Sequence, residues 1–140
     1  MPEKNTADNA ITLDATTDNL QTVLDFIDAI LDENDCPMKT KLQIDIAVEE
    51  IFVNIANYAY ASGTGKATVC AAVEDREVTI TLTDSGTHFN PLLKEDPDIT
   101  ISAEERDIGG LGILMTKKSM DSVSYEYKDQ QNALTLKKKF

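Results

Sequence analysis

Apolar and polar residues alternate through AITLDAT, residues 10–16, which predicts a short first strand. Leu20, Val23, Leu24, Ile27, Ile30 and Leu31 then recur at helical spacing behind Thr17 or Asp18 as the cap. Asn34-Asp35-Cys36-Pro37 ends that helix, because a proline cannot continue an interior turn. A second helix is predicted from about Met38 to Tyr60, with Ile44, Val48, Ile51, Phe52, Ile55 and Ala59 on one stripe that suits docking on a sheet. Ser62-Gly63-Thr64-Gly65 breaks the pattern. KATVCAAVED and REVTITLTD follow as a hairpin closed near Asp75-Arg76. Periodicity is lost from Asn90 to Asp107, where Pro91, Pro97 and eight charged residues crowd one stretch; loops that long are usually functional or disordered. Gly109-Gly110-Leu111-Gly112 opens a short helix through about Met120, and DSVSYEYKD and NALTLKKKF form two last strands around a turn at Asp129–Asn132.

The order β-α-α-β-β-loop-α-β-β does not alternate as a doubly wound sheet does. It predicts a two-layer α/β sandwich, one mixed sheet with helices on one face. Residues 1–9 are polar and unpatterned and read as a flexible, frayed terminus; residues 10–140 read as a single domain.

Charge narrows the chemistry. Twenty-five acidic residues against thirteen basic ones give −12, which repels phosphate backbones and argues against direct nucleic-acid binding. Residues 113–140 reverse the balance with six basic and three acidic side chains, and Lys137, Lys138 and Lys139 read either as a solvated strand end or as a partner-contacting patch. A bound nucleotide would have its charge met by backbone N–H groups and Mg²⁺. No apolar run approaches the ~20 residues that span a bilayer, and no basic-then-apolar leader opens the sequence, so a cytoplasmic protein without a membrane partner is expected. Cys36 and Cys70, without a close pairing motif, read as unreactive thiols, and Met38, Met115 and Met120 as core fillers.

Three segments carry candidate chemistry. Glu50, Asn54 and Asn57 stand at i, i+4 and i+7, a second stripe about 140° from the apolar one. Bordered by Ile46 and Val53, it is either the wall of a polar cleft or an ordinary solvated face. Asp84 ends an apolar strand with Gly86 two positions on, a place where a carboxylate can accept from an amino group and the backbone can approach closely. Gly109-Gly110-Leu111-Gly112 sits at a helix start, whose free N–H donors suit phosphate. It is neither a P-loop nor a dinucleotide fingerprint. His88, the sole histidine, is either near a ribose or an exposed loop residue.

Together the segments are more specific than apart. AVEEIFVNIANYAY resembles the N box of the GHKL (Bergerat-fold) ATPases, DSGTHFNP their G1 box and GGLGILMTKKSMDSVSY their G2 box. The wording is similar to that of the anti-sigma factor serine/threonine kinases, the HATPase_c_2 group, from about Ile11 to Phe140. The resemblance implies that Glu50 is the general base, Asn54 the Mg²⁺ ligand with Asn57 assisting, and Asp84 with Gly86 the adenine site. It further implies that Gly110, Leu111 and Gly112 lie at the phosphates and that Asn90–Asp107 is a lid. Of the two cations in that lid, Lys94 and Arg106, the one nearer the glycines, Arg106, is expected to meet the γ-phosphate. Tyr58 stands where many relatives have histidine. By this resemblance the protein binds Mg-ATP, phosphorylates a STAS-type anti-anti-sigma partner and exchanges that partner for a sigma factor; homodimers are common in the group. Other readings are a non-catalytic partner-switching module gated by nucleotide, the catalytic domain of a sensor histidine kinase, and a stand-alone ATPase.

Overall fold

The computed structural model describes residues 3–5, 9–60, 65–93 and 110–140. Six strands form one sheet in the order β1-β2-β3-β4-β6-β5: β1 (Glu3–Asn5), β2 (Ala10–Asp14), β3 (Lys66–Glu74), β4 (Glu77–Asp84), β5 (Ser122–Lys128) and β6 (Gln131–Lys139). Three helices, α1 (Leu20–Glu33), α2 (Met38–Asn54) and α3 (Gly110–Ser119), complete the α/β architecture.

The expected mixed sheet is corrected: every neighbouring pair among these strands is antiparallel. The connections explain this. The α1–α2 excursion leaves the end of β2 and returns beside it, Ala15 N–H donating to the Gly65 carbonyl at 2.8 Å, so β3 starts where β2 stopped. The single helix α3 lies between β4 and β5, and β6 runs back between those two strands. The stretch read as frayed also contains a strand, since Glu3–Asn5 pairs with Ala10–Thr12 along the sheet edge. Neither Thr17 nor Asp18 caps α1. Thr17–Asn19 makes a 3₁₀ turn instead, and the Asn19 amide donates to the Asp14 carbonyl at 2.9 Å.

Strand alternation puts Ile11, Leu13, Val69, Val78, Ile80, Leu82, Leu134 and Leu136 on the face covered by helices. Val23, Ile27 and Leu31 of α1 and Ile44, Val48, Ile51 and Phe52 of α2 fill the other side of that core. The open face is threonine-rich, with Thr12 bonded to Thr68 at 2.9 Å and Thr81 to Thr135 at 3.2 Å, so it needs no cover from an apolar partner. Of the three methionines expected in the core, only Met120 is there. Met38 and Met115 are 63% and 55% exposed, because each falls on the side of its helix turned from the sheet.

Between α1 and α2 lies a strained polar contact. Oδ1 of Asp28 and Oδ1 of Asp45 are buried with no donor among the described residues. Burial, and then the neighbouring Asp28 carboxyl, push Asp45 from the ordinary 3.8 up to about 7, against the opposing pull of Lys41, which bridges to Asp32 at 3.0 Å. A proton on Asp45 turns the contact into a hydrogen bond. The folded state thus holds that proton more tightly than the unfolded chain, so this contribution is complete below pH 4 and is lost as pH rises towards 7. Asp45→Asn should raise stability at pH 8 by about 1 kcal/mol, a value already discounted for solvent screening. At pH 4 it should change little. Urea midpoints at both pH values check this, and an equal shift at the two would contradict it.

Candidate nucleotide site

The site forms where α2 changes its winding. The α-helical bonding stops at Asn54, and Ile55–Ala59 continue as a π-helical turn, a feature common at functional sites. Widening the turn shifts everything after Asn54 relative to ideal α spacing. Glu50 and Asn54 therefore remain together, Asn54 Nδ2 donating to Glu50 Oε1 at 3.3 Å, whereas Asn57 is exposed and does not line the pocket. The same turn brings the Ala59 carbonyl onto Gly86, where it accepts from Thr87 N–H at 2.7 Å. Any Cβ at Gly86 would overlap that backbone carbonyl, which is why glycine stands there. Tyr60 anchors the end of the turn: its ring covers Gly65, its hydroxyl donates to the Lys66 carbonyl at 2.5 Å and accepts from Ser85 N–H at 3.0 Å.

A pocket opens between α2 and the β4–β6–β5 part of the sheet. Its floor is apolar, made by Ile51, Ile55, Leu82 and Leu134, and its rim is aromatic, made by Tyr58, Phe89 and Tyr125. Asp84 and Asn132 are the buried polar groups in it, 6% and 7% exposed. They sit directly opposite each other across β4 and β6. Asp84 Oδ1 accepts from Gly86 N–H at 2.9 Å and from Asn132 Nδ2 at 3.0 Å. An apolar lining with a few convergent polar groups is the usual make-up of a ligand pocket.

The glycine segment stands at the same C-terminal end of α2, one turn before the pocket-lining Asn54. α3 begins at Gly110, and Gly112 lies so close to Glu50 that an added Cβ would occupy the space of its carboxylate. The start of α3, whose first N–H groups have no partner within the helix, is thereby brought to the helix that carries Glu50 and Asn54. Gly109, Lys94, Arg106 and most of the expected lid lie outside the described residues, and of Leu111 only the helical backbone is described. His88 is exposed and stacks on Tyr127, ring centroids 3.9 Å apart, on the outer side of the loop after β4. Burial pushes the Tyr125 hydroxyl above its usual range, and burial does the same to the Cys36 thiol, in keeping with an unreactive cysteine.

The donor set suits a nucleotide with its metal. Asn54 spends its amide nitrogen on Glu50, which leaves a neutral oxygen as a hard ligand. Among the described residues no cluster of three or more acidic, histidine or cysteine side chains could hold a metal by itself. A Mg²⁺ there would draw its remaining ligands from phosphate and water, the usual arrangement for that ion. Sequence reasoning gave Asn132 no role, placing it where the last turn meets the last strand.

Comparison with known proteins bears on the family and the fold. Residues 13–138 match the family model of the histidine kinase-like ATPase domain. The anti-sigma F factor of Clostridium acetobutylicum is 30% identical over 98 residues, 69% of this chain and 68% of that protein. The serine/threonine-protein kinase BtrW of Bordetella bronchiseptica is 25% identical over 99 residues, 70% of each chain. The solved RsbU and RsbW domains of Rv1364c from Mycobacterium tuberculosis share the fold, with a TM-score of 0.67 at 21% identity over 93% of this chain. This chain spans 31% of that one. With residues 13–138 matched, the chain belongs to the histidine kinase-like ATPase family, in the group of anti-sigma serine/threonine kinases.

Proposed function

We propose that this protein binds Mg-ATP and transfers the γ-phosphoryl group to a serine or threonine of a STAS-type anti-anti-sigma partner, and so governs how much of a sigma factor is held. One juxtaposition supports this above all others: Gly112, at the start of α3, lies against the Glu50 carboxylate on the helix whose next turn carries Asn54. A carboxylate, a neutral oxygen ligand and helix N-terminal donors meet within one turn, which is what an attacking hydroxyl, a metal and a phosphate chain need.

In the proposed reaction Glu50 accepts the proton of the partner's hydroxyl. The hydroxyl oxygen bonds to the γ-phosphorus, the bond from that phosphorus to the bridging oxygen breaks, and ADP keeps the electron pair. Asn54 would hold Mg²⁺, which would supply positive charge to offset that building on the phosphates. Asp84 holds the base and Gly110–Gly112 the phosphates. The phosphorylated partner then meets a surface of net charge −12 and leaves by repulsion.

A protein rather than a small acceptor is favoured by the outer face of α2. Met38, Leu42 and Ile46 stand at i, i+4 and i+8 and are 63%, 53% and 65% exposed, a stripe that ends one turn before Glu50. Nothing about stability calls for three large apolar side chains there. In the role proposed here they seat the partner that presents its hydroxyl to Glu50. Incubation with γ-labelled ATP and a STAS protein should transfer label to that protein, and Leu42→Asp should weaken transfer through KM. Intact ADP binding without any transfer would replace the kinase by a nucleotide-gated binding module.

A further inference from the structure

The Asn132 amide has four partners. Its Nδ2 donates to Asp84 Oδ1 at 3.0 Å and to the Thr87 carbonyl at 2.9 Å, while its Oδ1 accepts from Phe89 N–H at 3.2 Å and from the Tyr125 hydroxyl at 2.5 Å. All four sites of a carboxamide are filled, two as donors and two as acceptors. Only one orientation of the amide satisfies them. Turned over, the amide would set its oxygen against the Asp84 carboxylate and the Thr87 carbonyl, and its nitrogen against the Phe89 N–H.

We infer that Asn132 is the positioning residue that fixes Asp84 as an acceptor for a purine amino group, and so makes the pocket select 6-amino over 6-oxo purines. The inference rests on the nucleotide proposal above and adds to it the source of base selectivity. A carboxylate has a broad torsion about its last bond and can turn in a roomy pocket. Asp84 is held instead. Gly86 N–H and Asn132 Nδ2 both bond Oδ1, and among the described residues nothing donates to Oδ2. Oδ2 is therefore the group left for the ligand. An amino group supplies its missing donor, whereas a 6-oxo base would set a second acceptor against Oδ2 and leave that oxygen without one. Tyr125 takes part from a distance: its hydroxyl occupies Asn132 Oδ1 and opposes the flip. The same amide grips the loop after β4 through Thr87 and Phe89, so the base-reading carboxylate and the pocket rim are set by one side chain.

Calorimetric titration with ADP and with inosine diphosphate, on the wild type, Asn132→Leu and Tyr125→Phe, tests this. The wild type should prefer ADP by about 100-fold or more, as sites built around one hydrogen bond do. Asn132→Leu should lose ADP affinity while holding inosine diphosphate almost as before, which collapses the ratio to below about tenfold. Tyr125→Phe keeps the amide but frees it to turn, so it should shift the ratio in the same direction by a smaller factor. Tyr125→Phe also preserves the test if the leucine variant does not fold, which a thermal melt reveals. A ratio unchanged in the folded variants, or equal losses for both nucleotides, would overturn the role of Asn132 and leave ADP binding intact. Absence of ADP binding by the wild type would overturn the nucleotide proposal and this inference together.

Discussion

Glu50→Ala should lower phosphoryl transfer by about 10²–10⁴-fold, the usual contribution of a positioned general base, while ADP affinity stays within a few-fold. The two effects separate because of where Glu50 sits. It is one turn before Asn54 and against the start of α3, and it does not line the pocket that holds Asp84 and Asn132. Removing it takes away the acceptor for the partner's proton but none of the groups proposed to hold base or phosphate. Its one described hydrogen bond, from Asn54, is partly buried and 3.3 Å long, so its loss costs the fold little. Single-turnover transfer with labelled ATP, read beside an ADP titration, measures both. Full transfer by the variant would remove Glu50 from the mechanism. A wild type that switches partners without transferring phosphate, matched by the variant, would favour the non-catalytic module.

Much of this was legible in the sequence because it is local. Helical period, the Pro37 stop and the two hairpins depend on neighbours a few residues apart, and the structure has α1, α2, β3–β4 and β5–β6 close to where the pattern sets them. The polarity of the sheet was not local. Whether β2 and β3 run antiparallel depends on the two-helix excursion returning to the end it left, which no window of residues shows. Asn57 shows a related effect: α spacing puts it on the stripe of Glu50 and Asn54, and beyond Asn54 a π-helical turn replaces that spacing, with Asn57 exposed and outside the pocket lining. Asn132 did leave a trace. Val78, Ile80 and Leu82 alternate inward and end in Asp84, just as Leu136 and Leu134 end in Asn132. An inward-facing series that finishes on a polar residue in two strands points to one polar end of the core. Recognising it requires the register that pairs Asp84 with Asn132.

Two glycine substitutions of the same size should part stability from activity. Gly112→Ala places a methyl group where the Glu50 carboxylate now lies. That carboxylate is the far end of a flexible side chain, so it can swing aside without moving the backbone. The substitution also removes a glycine from α3, a change worth about 0.5–1 kcal/mol in favour of the helix. The protein should therefore melt at or above the wild-type temperature while transfer falls by about 10²-fold, because the base is no longer in place. Gly86→Ala adds the same methyl group against the Ala59 carbonyl, which is backbone, belongs to the π-helical turn and is held by Thr87 N–H at 2.7 Å. Nothing there can swing. Relief requires the turn and the loop after β4 to separate, at about 1–3 kcal/mol or more, so the melting temperature should drop and ADP binding should weaken with it. Thermal melts and transfer assays on the pair give the comparison. If Gly112→Ala leaves transfer unchanged, the close approach of α3 to Glu50 plays no part in the chemistry. If it destabilises as much as Gly86→Ala does, the Glu50 side chain is packed more rigidly than its contacts imply.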